Sequence, residues 1–178
     1  MSYQRPPAPA ELLLIESFCD SAAFLHGWDA FADQESARAW LSEHGRSEAA
    51  TQIDAGGVAR LVDVRETVRG HLDGDPAARA RLNVLAEELL GVPRWDADGM
   101  TVPVATPDPV LAVAADVLAA LASAEMSGRR GRLKVCRARE CRWVYYDRSP
   151  ANNSTWCSMD ICGARHKMRA YRSRRDAD

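Results

Sequence analysis

Apolar residues recur every three to four positions through the first two thirds of the chain, which predicts a series of amphipathic helices. The first predicted helix covers residues 11–27. Asp33 is placed to cap a second helix that ends near Gly45, and the third follows Gly56-Gly57. The period of the third helix is kept by six positions, namely Val58, Leu61, Val62, Arg65, Val68 and Leu72.

A fourth helix and a hairpin are predicted next. Asp75-Pro76 supplies an N-cap residue followed by proline at the first helical position, and Gly91 closes this helix. Residues 92–104 then form two short runs around the turn sequence Asp-Ala-Asp-Gly of residues 96–99. This pattern predicts a small β-hairpin.

The chain then divides into two parts. Thr106 or Asp108 caps a long fifth helix, and the Gly-Arg-Arg-Gly sequence at 128–131 after it is the best candidate for a linker. We expect a mainly helical domain over 11–127 that is stable on its own core. The Pro-rich segment 1–10 before it is expected to be disordered.

Charge is distributed unevenly between these two parts. The 178-residue chain has the composition of a soluble globular protein, with 47% hydrophobic and 27% charged residues. Residues 1–128 carry 9 basic and 20 acidic side chains, whereas residues 129–175 carry 14 basic and 3 acidic ones. Such asymmetry favours a basic surface for a polyanion. No signal peptide or membrane span is evident, so we expect a cytoplasmic protein with reduced thiols and no membrane partner.

Four of the five cysteines form two Cys-x4-Cys pairs that are separated by fifteen residues. Two close pairs joined by a longer loop suit the tetrahedral coordination of Zn²⁺. Disulfides need an oxidising compartment, and ferredoxin-type iron–sulfur spacings differ. A complete set of protein ligands leaves no open position for water, so the zinc is expected to be structural. We predict one Zn²⁺ per chain, held by Cys136, Cys141, Cys157 and Cys162.

The cysteine-containing part is predicted to be a small zinc module. Residues 143–146 have the composition of a strand, and Thr155-Trp156 is expected to pair with it as a second short strand. Ser158 is placed to cap a helix from Met159 to about Ser173. The predicted fold class is therefore α+β, mainly α, in which the helical domain with its hairpin is followed by a treble-clef-like or ribbon-like four-cysteine module that ends in a helix.

Basic residues occur throughout this module, which favours phosphate binding over a merely solvated charged face. On the terminal helix an apolar stripe of Ile161, Ala164, Met168 and Tyr171 has cations on both flanks. The candidate nucleic-acid contacts are Arg137, Arg139, Arg142, Arg165, Lys167, Arg169, Arg172 and Arg174.

The motifs around the cysteines resemble a known family. They are Cys136, the Cys-Arg-Trp-Val-Tyr-Tyr-Asp-Arg-Ser run of 141–149, Trp-Cys-Ser-Met at 156–159, and Cys-Gly-Ala-Arg at 162–165 with Lys167. These residues resemble the CGNR zinc finger proteins, whose N-terminal ABATE domain belongs to proposed stress-induced transcription regulators. The resemblance implies that the four cysteines bind zinc, that residues 132–175 are the DNA-binding finger and that residues 11–127 are an ABATE-like domain.

The sequence departs from the family pattern at two positions. Ala164 stands where the family has its namesake Asn, and Thr155 stands where an Arg often precedes the Trp-Cys pair. We therefore expect contacts to phosphates rather than base reading through these two positions.

Three functional classes follow from these patterns. The first is a bacterial transcription regulator that binds double-stranded DNA and senses a small molecule or a protein through its N-terminal domain. The second is an RNA-binding protein, and the third is a zinc-stabilised protein-interaction module. RNA-binding modules often stack bases on exposed aromatic residues. The aromatic residues available for such stacking are Trp143, Tyr145, Tyr146 and Tyr171.

An enzyme is not expected, because the sequence contains no nucleophile motif, P-loop or Rossmann fingerprint.

Overall fold

The computed structural model describes residues 6–9, 12–97 and 99–175. Helices dominate these residues, and the strands pair as three small antiparallel ribbons, β1–β2, β3–β4 and β5–β6. The predicted α+β, mainly α, fold class is confirmed. The helices are α1 (Leu12–Cys19), α2 (Gln34–Glu43), α3 (Ser47–Gln52), α4 (Ala55–Asp73), α5 (Pro76–Leu89), α6 (Pro109–Met126) and α7 (Ala164–Arg175). The strands are β1 (Ala22–Ala23), β2 (Trp28–Asp29), β3 (Arg94–Asp96), β4 (Gly99–Thr101), β5 (Leu133–Val135) and β6 (Val144–Tyr146).

Aspartate caps begin most of the longer helices, as the sequence predicts. The side chains of Asp33, Asp75 and Asp108 each accept a hydrogen bond from a backbone N–H in the first turn of α2, α5 and α6. Helix α4 begins three residues before the predicted start, because Asp54 accepts from the N–H of Gly57 and the glycine pair lies in the first turn. The short helix α3 was not predicted.

The first helix is shorter than predicted. Helix α1 ends at Cys19, and the hydroxyl of Ser21 donates to the carbonyl of Phe18 at 2.8 Å at this end. Residues 22–23 then pair with 28–29 across a left-handed turn at Gly27, whose φ is 65°. The apolar spacing that predicted a helix through residue 27 is equally compatible with a short buried strand.

Helix α6 is the central element of the core. Its buried positions include Val113, Val117 and Leu121, and α1, α3, α4 and α5 pack around it. By length and composition alone this helix is apolar enough to cross a membrane, but half of its span is buried inside the protein. A helix that is apolar on most faces is typical of a protein core.

The β5–β6 ribbon of the cysteine module is part of this same core. Leu133, Val135 and Val144 are buried together with the side chains of the N-terminal helices. The segment 128–131, predicted as a linker, is folded, because Gly128 adopts a φ of 71° and residues 129–132 form a turn of 3-10 helix that leads directly into β5. The module is therefore packed against the helical domain rather than tethered to it.

The strand pairing in the module differs from the prediction. Strand β6 pairs with β5, in the register Leu133↔Tyr146 and Val135↔Val144. Thr155, which was expected to lie in the partner strand, contributes one backbone hydrogen bond, from the N–H of Arg137 to its carbonyl at 3.1 Å. The apolar alternation of residues 133–135 explains why β5 is the partner, since it directs two side chains into the core.

Part of the segment predicted to be disordered is described. The N–H of Ala8 donates to a Glu16 carboxylate oxygen at 2.7 Å, and Arg148 donates to the carbonyl of Pro7 at 2.6 Å. Ala8 is buried against the core. Residues 1–5 and 10 lie outside the described residues.

Candidate metal centre and nucleic-acid interface

The fold brings four cysteine sulfurs together. The Sγ atoms of Cys136, Cys141, Cys157 and Cys162 all lie within 4.8 Å of one another. Two of the separations are 3.6 Å, between Cys141 and Cys157, and 3.7 Å, between Cys157 and Cys162. All four sequence-predicted ligands thus meet at one point of the module.

These distances fit a zinc ion and not a disulfide. A tetrahedron with Zn–S bonds of about 2.3 Å has edges of about 3.8 Å, whereas bonded sulfurs are about 2.05 Å apart. All five cysteines lie within the described residues, and none of them is in a disulfide. Cys19, the fifth one, is buried in the core of the helical domain. The remaining four can hold one Zn²⁺, with no further protein ligand needed.

Each ligand is held on a defined piece of backbone. The N–H of Cys136 donates to the carbonyl of Trp143 at 2.8 Å, and the N–H of Cys141 donates to that of Ala138 at 2.8 Å. Ser158 accepts from Ile161 through its hydroxyl and from Cys162 through its carbonyl, as the predicted N-cap. The cap begins a π-helical turn, Met159–Gly163, that continues into α7.

The thiols strongly affect one another's ionisation. Thiol hydrogen bonds from Cys141 and Cys157 lower the pKa of Cys136 to about 2. The hydrogen bond to Cys136 raises the pKa of Cys141 to about 12, and the pKa of Cys157 is raised for the same reason. A divalent cation is needed to stabilise all four as thiolates in this space.

Asp147 organises the loop that leads to Cys157. Its side chain is fully buried, and its carboxylate accepts from Lys134 Nζ at 2.6 Å and from the N–H groups of Ser149 and Ser154 at 2.9 Å each. Burial alone would raise the pKa of Asp147, but these hydrogen bonds hold it well below its usual range. Asp147 lies inside the 141–149 run that resembles the CGNR family, but the cysteine spacing alone predicts no role for it.

A charged cluster that the sequence did not predict joins the two parts of the chain. Arg65 on α4 is buried and pairs with both carboxylate oxygens of Asp29, at 2.6 and 2.7 Å. Arg69, one turn later, is also buried and contacts Glu66. The other oxygen of Glu66 lies 3.1 Å from Arg142 of the zinc module. Arg65 was visible in the sequence only as a charged residue at an apolar position of the third predicted helix.

Arg142 therefore occupies a different place from the other candidate nucleic-acid contacts. Its guanidinium lies over the ring of Phe24, 5.5 Å from the centroid, and pairs with Glu66, so that it is directed at the helical domain. The other seven predicted contacts are exposed to solvent, two on the loop between the first cysteine pair and five on α7. They are Arg137, Arg139, Arg165, Lys167, Arg169, Arg172 and Arg174.

Helix α7 projects from the module. None of its residues is buried, and most of its contacts are with the π-helical turn that directly precedes it in the chain. The ring of His166 packs against that of Trp156 at a tilt of 33°, with ring centroids 4.8 Å apart, so this side of the helix faces the module. Met168 and Tyr171 are 53% and 52% exposed, so half of the predicted apolar stripe faces solvent. Arg169 pairs with Glu140 at 2.8 Å across a groove of about 560 Å³ beside the helix.

The fold and the four-thiol site define a two-part protein in which a helical domain carries a C-terminal four-cysteine zinc finger. The chain belongs to the ABATE family, whose model, described as "Putative stress-induced transcription regulator", matches residues 12–125. Residues 132–175 match the CGNR zinc finger. No curated protein matches the chain. The two family matches confirm the architecture expected from the motifs, and the four cysteines are those of a finger that can hold one zinc ion.

Proposed function

We propose that this protein is a cytoplasmic transcription regulator that binds double-stranded DNA through its zinc finger and senses an effector through its helical domain. The observation that carries the proposal is the exposure of six cations on α7. Among the described residues, no carboxylate lies within ion-pair distance of Lys167, Arg172, Arg174 or Arg175. Solvated cations on one projecting helix are the electrostatic footprint of a nucleic-acid-binding surface.

The charge of the rest of the chain supports a polyanionic partner for the finger, because the positive charge is confined to the finger and is not spread over the whole protein. Residues 129–175 carry a net charge of +11, whereas residues 1–128 carry −11. The acidic domain repels the same polyanion, so the contacts are restricted to the finger. Neutralising phosphates with arginines releases counterions, and the affinity therefore falls steeply with salt.

The packing of the aromatic residues at 143–146 argues against the RNA-binding alternative, although Tyr171 on α7 is 52% exposed. Tyr145 is 1% exposed and its hydroxyl donates to the carbonyl of Ser154, and Tyr146 packs against the hydrophobic core. Trp143 packs against the buried residues around the cysteines. These side chains support the fold and are not available as a platform on which bases stack.

The contacts between the two parts support a sensing role for the helical domain. At the end of α1, Asp20 accepts from the N–H of Val144 at 2.9 Å and Glu16 accepts from that of Tyr146 at 3.2 Å. Leu25 packs against the residues around the zinc ligands. A small molecule or a protein that shifts α1 therefore acts directly on the strand that carries the finger.

Selection experiments test the proposal. The zinc-loaded full chain is offered a randomised 24-bp duplex pool and, in parallel, a randomised single-stranded RNA pool. We expect enrichment of duplex sequences and affinities whose logarithm falls linearly with log salt, with a slope of about −4.5 to −6 for five to seven phosphate contacts. Enrichment from the RNA pool alone contradicts the choice of DNA. Absence of binding to either pool at low salt leaves the protein-interaction module as the function.

A further inference from the structure

The zinc finger presents one helix whose shape and side-chain distribution match a duplex groove. We propose that α7 binds in the major groove of DNA, with Met168 and Tyr171 against the base edges and the flanking cations against the two phosphate backbones. The inference rests on the proposed function, since it assumes that duplex DNA is the partner. It goes beyond that function by naming the helix that contacts DNA, the groove that this helix enters and the kind of base contact that it makes.

The dimensions of α7 fit this groove. Helix α7 has 12 residues, a length of about 18 Å, and a helix with its side chains is about 10–12 Å across. The major groove of B-DNA is about 12 Å wide, whereas the minor groove, at about 6 Å, does not admit a helix. Because α7 projects from the module, it can enter a groove without rearrangement of the zinc site.

The side chains around α7 are arranged in three rows. At about 100° per residue, Arg165, Arg169 and Arg172 fall within one sector of about 60°. Lys167 and Arg174 lie on the opposite flank. The exposed stripe of Met168 and Tyr171 runs between the two cationic rows, and Arg175, one turn after Tyr171, ends the same stripe. A helix in the major groove has a phosphate backbone on each side and base edges beneath it, which is the same three-row order.

The apolar middle row predicts the kind of base contact. The major groove displays the thymine C5-methyl group, and apolar side chains contact it. Met168 and Tyr171 offer such contacts, and the Tyr171 hydroxyl can donate or accept one hydrogen bond. We therefore expect a preference for thymine at the base pairs beneath the stripe.

Two other occupants of this surface are less compatible with its charge. A second copy of α7 brings the same six cations against the first, and like charges in close contact oppose pairing. An acidic protein helix can pair with one cationic flank, but a single helix leaves the opposite flank unpaired. Duplex DNA alone supplies anionic walls on both sides of an uncharged floor.

A groove-filling DNA modification tests the proposal. Zinc-loaded full chain is titrated against a labelled 24-bp duplex and against the same sequence in which every cytosine is glucosylated 5-hydroxymethylcytosine. The glucose fills the major groove and leaves the phosphates unchanged. We expect at least a 10-fold loss of affinity on the glucosylated duplex, and no loss when the minor-groove ligand netropsin is added to the unmodified one.

The possible results separate this proposal from the proposed function. Equal affinity for both duplexes, or competition by netropsin, overturns the major-groove assignment while DNA binding stands. Absence of binding to the unmodified duplex at low salt overturns both.

A pair of variants tests the middle row. Replacing thymine by uracil in the same duplex removes only the methyl groups, and we expect it to weaken wild-type binding several-fold. In Met168→Ala/Tyr171→Ala the two duplexes should be bound equally, with the salt slope unchanged. Met126→Ala, at an exposed methionine on α6, is the matched control and should keep the preference. A double variant that keeps the wild-type thymine preference overturns the assignment of the stripe.

Discussion

Arg142 and Glu66 form an ion pair between the zinc finger and the helical domain, with Arg142 NH1 3.1 Å from Glu66 Oε2. Arg142 directly follows the zinc ligand Cys141, and Glu66 also pairs with the buried Arg65 and Arg69. One carboxylate thus compensates two buried cations of one domain and one cation of the other. The two ends of this pair are therefore expected to differ greatly in their contribution to stability.

Glu66→Gln should lower the free energy of unfolding by about 3–5 kcal/mol, because it leaves Arg69 buried without its ion-pair partner, whereas Arg65 keeps its pair with Asp29. Arg142→Ala should cost about 1 kcal/mol or less, since its side chain is 42% exposed and solvent screens the pair. Urea denaturation of the zinc-loaded chain at pH 7 measures both. Glu48→Gln, at an exposed position on α3, serves as the control. Similar losses for the two variants of the pair would contradict the role of Glu66 as a shared counterion.

The zinc content should be one ion per chain. Cys157→Ser removes one of four ligands and should reduce the bound zinc to well below one equivalent, as measured by elemental analysis after dialysis. Cys19→Ala, at the buried cysteine outside the site, should keep the full equivalent. Because β5 and β6 pack into the core of the helical domain, removing the zinc with a chelator should also lower the melting temperature of the helices. An unchanged helical melt after complete zinc removal would show that the two parts fold independently.

Asp147→Asn should lower the free energy of unfolding by about 3 kcal/mol at pH 7, because Asp147 accepts a charge-assisted bond from Lys134. The pKa of Asp147 in the folded chain lies below the unfolded value of about 3.9. The carboxylate therefore stabilises the fold above about pH 4, and this contribution is lost as the pH falls further.

The difference between Asp147→Asn and wild type should thus be constant from about pH 7 to pH 5 and narrow below about pH 4. Chemical denaturation at several pH values measures it. Asp73→Asn, at an exposed carboxylate near the end of α4, is the control. A difference between variant and wild type that grows as the pH falls would contradict the assignment of Asp147 as an ionised carboxylate in the folded chain. The variant should also release zinc to a chromogenic chelator faster than wild type, because the loop to Cys157 is loosened.

The three arginines on one flank of α7 should act together on DNA binding. Replacing Arg165, Arg169 and Arg172 by Ala should flatten the slope of log affinity against log salt by about 2 to 3 units, about 0.9 for each lost phosphate contact. Fluorescence anisotropy with a 24-bp duplex at several salt concentrations measures the slope. Arg79→Ala/Arg94→Ala removes two exposed arginines of the helical domain and should leave the slope unchanged. Equal slopes for wild type and the triple variant would place the phosphate contacts elsewhere.

Glu140→Gln should strengthen DNA binding at low salt by about 2- to 5-fold, the range of an exposed ion pair. Glu140 pairs with Arg169, so a phosphate has to compete with this carboxylate. The gain should shrink as salt is added, because screening weakens both interactions. Glu43→Gln on α2 is the control for a change in net charge alone. Weaker binding by Glu140→Gln would mean that the carboxylate positions Arg169 for DNA rather than restraining it.

The zinc site was predictable from the sequence, because four ligands of one chemical type at paired spacings have few alternative uses. The caps Asp33, Asp75 and Asp108 were predictable for a similar reason, since each acts on backbone groups two or three residues away. Local chemistry therefore accounts for the helices of the N-terminal part and for the ligand set.

Long-range pairing was not predictable. The strand partner of β6 depends on whether residues 133–135 or 155–156 pack into the core beside it, and the spacing of apolar residues does not encode this. The roles of Arg142 and Asp147 depend on contacts with residues 76 and 13 positions away, Glu66 and Lys134. An arginine in a basic module is indistinguishable in sequence from its neighbours until the fold shows which one turns inward.

The carboxylates of Glu16 and Asp20 also cover one edge of the β5–β6 ribbon. The backbone N–H groups of Val144 and Tyr146 that they bind lie on the side of β6 away from β5. An edge with free N–H groups is a template on which a strand of another molecule adds, and acidic side chains laid along it prevent such addition. The contacts that hold the finger to the helices thus also protect the chain against aggregation through this edge.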